Sequence, residues 1–212
     1  IYCRAHLNLP GAQDALITEI SKSGKPLVLV VLAGRPLTIG NVSQKADAIL
    51  YAWHPGTMCG PALVDLLFGI ESPSGKLPVT FPITEGQIPV YYAHKNTGRP
   101  PEKISLTMIE DIPLRAYQSS LGDAARYLDI GYLPLYPFGY GLSYTEFSYA
   151  NLILSSDRIS LGDTLQASVD ITNMGDMEAE EVVQLYVRDL TASVTRPVKE
   201  LKGFTRIRLK PK

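Results

Sequence analysis

The chain has 212 residues, 45% of them hydrophobic and 19% charged, enough to bury one large core or two smaller ones and unlike the composition of a disordered segment. A formal net charge of −1 leaves no electrostatic footprint for nucleic acid or an anionic membrane, so neither is expected as a partner. The longest aliphatic run, Leu27 to Ala33, falls far short of the about 20 residues that a bilayer span requires, and no membrane span is expected.

The opening stretch IYCRAHLNLP has no methionine, basic leader or apolar signal segment, and by itself does not say whether it is a beginning or a continuation. Pro10 suits a first helical turn, Leu16, Ile17 and Ile20 fall on one helical face, and Gly24 supplies a stop. PLVLVVLA (26–33) is a continuous aliphatic run, as expected of a strand covered on both faces, and DAILYAW (47–53) reads as a second one. Gly60 and Pro61 then open a helix carrying Leu63, Val64, Leu67 and Phe68, which Gly69 closes. Strand, crossover, strand and helix make up a parallel α/β layer, but two strands are too few for a stable sheet. The layer is therefore expected to lack its first part.

Between residues 71 and 141 the periodicity fades. Nine of the sixteen prolines fall there, and PSGKLPVTFP (73–82) reads as an extended piece bracketed by turns. Six of the twelve tyrosines then crowd into residues 127–149. From about Tyr149 the period becomes two: Leu165, Ala167, Val169 and Ile171 alternate with polar residues, as do Val183, Leu185 and Val187, and then Ile207 and Leu209. Turn material such as Asn173-Met174-Gly175-Asp176 separates these runs. The pattern is that of an antiparallel β-sandwich, which needs about seven strands, and the sequence stops after four or so.

Generic chemical signatures fail. AGRPLTIG (33–40) lacks the glycine spacing of a dinucleotide site, SPSGK (72–76) lacks the upstream glycine of a phosphate loop, and GLSYT (141–145) lacks the second glycine of a nucleophile elbow. Each reads as a turn or junction. Cys3 and Cys59 could pair, but they lie in unrelated segments and read more simply as free thiols. His6, His54 and His94 stand 48 and 40 residues apart, which argues against a zinc site, and no cofactor is expected.

Six blocks occur in a fixed order: GKPLVLVVLAGRPLTI, DAILYAWHPGTMCGPALVDLLFG, SPSGKLPVTFP, GQIPVYYAHKNTGRP, LYPFGYGLSYTEF and RPVKELKGF. This series resembles the C-terminal half of glycoside hydrolase family 3, particularly bacterial β-glucosidases of the periplasmic type, and the resemblance covers essentially the whole chain. It implies an N-terminal (β/α)8 barrel as missing partner, then an α/β sandwich, then a fibronectin type III-like domain. The expected fold class is thus α/β plus all-β: the latter half of a parallel-sheet α/β sandwich over residues 1–125, a Tyr-rich linker at 126–148, and the N-terminal strands of a fibronectin type III-like β-sandwich at 149–212. In that picture the tyrosines of YPFGYGLSYTEF join the two layers. One departure stands out, since Met58 and Cys59 occupy positions where the family more often has an acidic residue and a glycine.

The resemblance also answers the question raised by the first residues. Family members place an acid/base glutamate about four residues before an arginine and a segment like L-x-L-P, here Arg4, Leu7, Leu9 and Pro10. That glutamate is expected immediately before Ile1, and the nucleophilic aspartate in the barrel, so no catalytic residue is expected within the chain. The implied activity is retaining hydrolysis of terminal β-linked glucosyl residues, on β-glucosides or short β-linked oligosaccharides, in the periplasm or outside the cell. The chain alone is expected to be inactive. The alternative is a non-catalytic module that binds carbohydrate or protein.

Glu71, Glu85, Glu110, Asp111 and Asp129 sit in no matching motif and read as solvated loop charge. Tyr2 and Arg4 would follow the glutamate on one loop, near enough to touch or hold it, or would simply pack and cap at a loop–helix junction. His94, Lys95, Asn96 and Arg99, in AHKNTGRP, form a polar cluster that reads either as a sugar or subunit contact or as an exposed turn. Trp53 and His54 end a buried strand and read as structural.

Overall fold

The computed structural model describes residues 3–96, 99, 107–117 and 126–212. Packing divides the chain into two compact units: Ile1–Gly56, Leu77–Tyr140 and Tyr186–Lys202 form one, and Thr57–Lys76, Gly141–Leu185 and Gly203–Lys212 the other.

In the first unit, helix α1 (Gln13–Ser21) begins three residues after Pro10, which lies ahead of the first turn and not in it, and ends three residues before Gly24. Gly24 adopts φ +68°, a conformation that a side chain would strain. Of the expected apolar face, Ile17 is buried while Leu16 and Ile20 are about half exposed. The helix packing against α1 is α2 (Gly40–Ser43), whose single turn is too short to cover the nine residues of α1. Strands β1 (Val28–Val31) and β2 (Ala48–Tyr51) pair in parallel, with Val28 opposite Ala48 and Val31 opposite Tyr51, and α2 lies in their crossover.

The expectation that β1 is covered on both faces is not met. Leu27, Leu29, Val31 and Ala33 pack into the core, whereas Val28 and Leu32, on the other face of the pleat, stay about half exposed. The core is completed by Leu9, Ile17, Leu37, Ile39 and Val42, with Ile49 and Tyr51 against it.

Much of the apparently featureless stretch is held by long-range pairing. Leu77 N–H donates to Tyr140 O and Gly139 N–H to Leu77 O, both at 2.8 Å, and Phe81 pairs antiparallel with Tyr136. Phe81 is fully buried at the centre of an aromatic cluster, with ring centroids 4.8 Å from Tyr51, 5.8 Å from Trp53 and 6.2 Å from Tyr136. Tilted and edge-on contacts of this kind add about 0.5–1.5 kcal/mol per pair beyond the area they bury. Trp53 reaches its place through φ +54°, an uncommon conformation for a bulky residue.

In the second unit, helix α3 (Cys59–Leu67) ends before Gly69, which has φ +71°. None of its residues is buried: of the apolar face expected of it, Val64, Leu67 and Phe68 are exposed and Leu63 is half-buried. Strands β3 (Phe147–Leu154) and β4 (Ala167–Asn173) pair antiparallel, with a register shift between Ala150 and Ile153. Strands β5 (Ala179–Val187) and β6 (Glu200–Leu209) form another two-stranded sheet, of which residues 179–185 and 203–209 belong to this unit. Alternation locates β4, β5 and β6; the sequence of β3, FSYANLIL, does not alternate.

Asn173 was expected in turn material, yet it is buried and satisfies four groups. Its Oδ1 accepts from Thr145 Oγ1 at 2.5 Å and from Gly175 N–H at 3.2 Å, and its Nδ2 donates to Met177 O at 2.7 Å and Leu209 O at 3.1 Å. Nearby, Lys76 Nζ lies 3.1 Å from Glu181 Oε2 and donates to Gly141 O at 2.8 Å. Tyr149 OH donates to Glu181 Oε1 at 2.9 Å, and burial together with that carboxylate pushes the phenol well above its ordinary range.

Among the described residues no helix is long and apolar enough to cross a membrane. Cys3 and Cys59 are free thiols.

Phe81→Ala is expected to destabilise the fold by about 3–5 kcal/mol, read from urea unfolding. Asn173→Asp keeps the shape but cannot donate to Met177 O and Leu209 O. At neutral pH it is expected to cost more than Asn173→Ala, itself about 1–3 kcal/mol, because it turns a carboxylate oxygen toward the two carbonyls; equal stability of the two variants would show that this repulsion contributes nothing.

Candidate functional site

The segment from Arg4 to Pro10 is fastened to the first unit through its backbone. After β1 the chain passes Gly34, where a Cβ would collide with the His54 imidazole, and turns so that Arg35 faces the N-terminal residues. Arg35 Nη1 donates to Arg4 O at 2.6 Å and Nη2 to His6 O at 3.3 Å. Tyr51 OH donates to Arg35 O at 2.6 Å, and burial pushes its phenol up, keeping it an uncharged donor. Thr38 N–H donates to Leu7 O at 2.9 Å. Leu9, two residues further on, is in the core.

Glu85 closes the arrangement from the opposite direction in sequence. It opens a 3₁₀ turn (Glu85–Gln87) whose far end is buried: Gln87 Oε1 accepts from Ile83 N–H at 2.6 Å, and its Nε2 donates to Gly131 O and Leu133 O at 3.4 and 3.3 Å. From there Glu85 Oε1 accepts the Leu7 N–H, and Oε2 lies 3.2 Å from His6 Nδ1. The Leu7 hydrogen bond first, then His6 and the charge of Arg4, hold the Glu85 carboxyl below its usual range. The sequence reading of Glu85 as solvated loop charge is therefore corrected: it is half-buried and bonded to the backbone. Arg4 turns its own guanidinium on Asn8, with Nη1 2.7 Å from Asn8 O and Nη2 2.8 Å from Asn8 Oδ1. Tyr2 lies outside the described residues.

His94, Lys95 and Asn96 belong to a different part of the same unit. Val198 N–H donates to His94 O at 2.9 Å, and Lys95 bridges to Pro197. Tyr92 steers the loop there: it stacks on Phe138 at 4.2 Å, meets Tyr186 edge-on at 5.9 Å, and its OH accepts from Leu201 N–H at 3.4 Å. Asn96 and residues 188–198 line an open cavity of about 520 Å³ with Arg188, Asp189 and Arg196 in its wall. Arg99 is exposed. The candidate residues thus fall into two groups, Arg4 with the N-terminal segment and His94, Lys95 and Asn96 beside the 188–198 loop. Among the described residues no three His, Cys, Asp or Glu side chains are grouped to hold a metal ion.

Sequence reasoning missed Arg35 and Glu85. Their partners stand 31 and 78 positions away, beyond the reach of any local pattern.

Residues 2–144 match the family model described as Glycosyl hydrolase family 3 C-terminal domain, and residues 181–212 match the Fibronectin type III-like domain. The chain is 49% identical over 98% of its length to a protein named Periplasmic beta-glucosidase of Salmonella typhimurium, covering 25% of that relative. It is 39% identical over 98% of its length to a Beta-xylosidase of Formosa agariphila, covering 26%. Among solved structures, the beta-glucosidase of Listeria innocua in complex with gluconolactone superimposes with a TM-score of 0.86 at 43% identity, over 98% of this chain and 27% of that one. The chain spans about a quarter of the length of the curated relatives it matches.

The depressed Glu85 carboxyl sets the sign of an acid dependence. Its hold on Leu7 is complete above the ordinary carboxylate value of about 4.3 and is lost as pH falls through the lower folded value. The Leu7 amide proton resonance is expected to shift in that acid window, and not to do so in Glu85→Gln.

Proposed function

Because the chain belongs to glycosyl hydrolase family 3, we propose that it forms the C-terminal α/β and fibronectin-like portion of a retaining β-glucosidase. The reading is supported by the family match over residues 2–144 and by relatives named beta-glucosidase that are several times longer than this chain. A retaining enzyme needs two carboxyl groups about 5–5.5 Å apart. One attacks the anomeric carbon as the glycosidic C–O bond breaks, and the other gives its proton to the departing oxygen. That second group then takes a proton from the water that releases the sugar.

In this reading an N-terminal barrel supplies the attacking aspartate, and a glutamate immediately ahead of Ile1 serves as acid and base. The 212 residues provide neither. Of the loop carboxylates they do carry, Glu85 is already bonded to Leu7 and His6. The substrates are β-glucosides or short β-linked oligosaccharides, no cofactor takes part, and the enzyme works in the periplasm or outside the cell. The xylosidase relatives make the pentoside the natural competing substrate.

The purified 212-residue chain is expected to release no nitrophenol from an aryl β-glucoside. The longer protein containing it should do so with net retention at the anomeric carbon, followed by proton NMR, and faster than on the xyloside. Turnover by the short chain, or inversion by the long one, would falsify the proposal.

A further inference from the structure

Four main-chain polar atoms within a four-residue stretch are held by side chains or backbone from distant parts of the sequence. Arg4 O and His6 O accept from one guanidinium, Leu7 N–H donates to Glu85, and Leu7 O accepts from Thr38. A guanidinium presents its donors in a rigid planar fork, so bonding two carbonyls fixes the course of the chain between them as well as its position. Arg35 is itself braced by Tyr51 OH on its carbonyl and by the close contact of Gly34 with His54. Glu85 is braced by Gln87, which is buried and bonded to three backbone groups. Such reinforcement exceeds what a connecting loop needs, since backbone groups at a surface can bond to water instead.

We infer that Arg35 and Glu85 are positioning residues, holding the backbone of residues 4–7 so that the acid/base carboxylate is presented at a fixed point beside the glycosidic oxygen. The inference rests on the proposed function, which places that carboxylate just ahead of Ile1. An extended chain covers at most about 3.3–3.6 Å per residue, so an anchor at Arg4 O limits the carboxylate to a short radius. Within that radius the remaining freedom matters, because a misplacement of about 1 Å can cost about a hundredfold in rate. Neither residue touches the sugar; each acts through the main chain.

The position of a proton donor can be tested by varying how much the leaving group needs the proton. In the longer protein, kcat/KM reads the first step, in which the glycosidic bond breaks. Arg35→Ala is expected to lower kcat/KM about a hundredfold on an unactivated disaccharide, whose leaving alkoxide must be protonated. The loss should be far smaller on a dinitrophenyl glucoside, whose leaving group departs as an anion. On that activated substrate kcat should fall, because water must still be deprotonated, and added azide, a nucleophile needing no base, should restore it. Glu85→Ala should give the same pattern, and Arg35→Lys, which keeps the charge but not the fork, a weaker one.

Equal losses on both substrates, or no loss on either, would overturn the inference and mark the clamp as a purely structural tie. If the unsubstituted longer protein hydrolyses no β-glycoside, the proposed function itself fails and the inference with it. Amide exchange in the 212-residue chain reads the clamp without any turnover. Arg35→Ala should speed exchange of the Leu7 amide while leaving those of Ile39 and Val42 protected, and unchanged protection at Leu7 would also overturn the assignment.

Discussion

The backbone of Leu7 is the tightest constraint in the first unit. Its N–H and C=O are satisfied by Glu85 and Thr38, neither near it in sequence, and neighbouring carbonyls are taken by Arg35. For these bonds to form together, β1 must deliver Arg35 at its end, the crossover must place Thr38, and the segment after Phe81 must bring Glu85 back. Strand register, crossover and long-range pairing are thus conditions for one short segment to be held. Leu9 adds the apolar counterpart, anchoring the same segment in the core.

Phe81 links that segment to the rest of the unit. Its burial against Tyr51, Trp53 and Tyr136 fixes the approach to the Glu85 turn, and Tyr51 also bonds the Arg35 carbonyl. The unusual backbone of Trp53 fits the same picture: conformations in this region cost of order 1–3 kcal/mol and persist where the surroundings over-determine them. In the second unit the fixed points are polar instead. Asn173 is buried with four hydrogen-bond partners, and Glu181 is buried between the Lys76 ammonium and the Tyr149 hydroxyl, which favours a unique arrangement over a merely collapsed one.

A hydrolase built on two carboxylates can divide its labour between segments. The reacting groups need to be few and correctly protonated; the parts around them must be rigid to within a fraction of an ångström. Under the proposed function, the bonding around residues 4–9 suits the second task. The loop of His94, Lys95 and Asn96 is held differently, by strand-like pairing with residues 197–198 and by the stacked Tyr92, and it borders a polar cavity rather than a packed core.

Composition, local periodicity and glycine placement were enough to locate α1 and its end, the parallel pair β1 and β2, α3, and the alternating strands β4 to β6, because each depends on residues within one or two turns of each other. The ordered blocks, read as a resemblance, also point to the family. What no local pattern contained were the bonds between residues far apart: Arg35 and Glu85 on the N-terminal segment, Phe81 against Tyr136, Asn173 to Leu209. The face of β1 that packs, the burial of Asn173 and the bonding of Glu85 were decided by which distant groups arrive, since a side chain's solvation depends on its neighbours in space and the sequence orders them only along the chain.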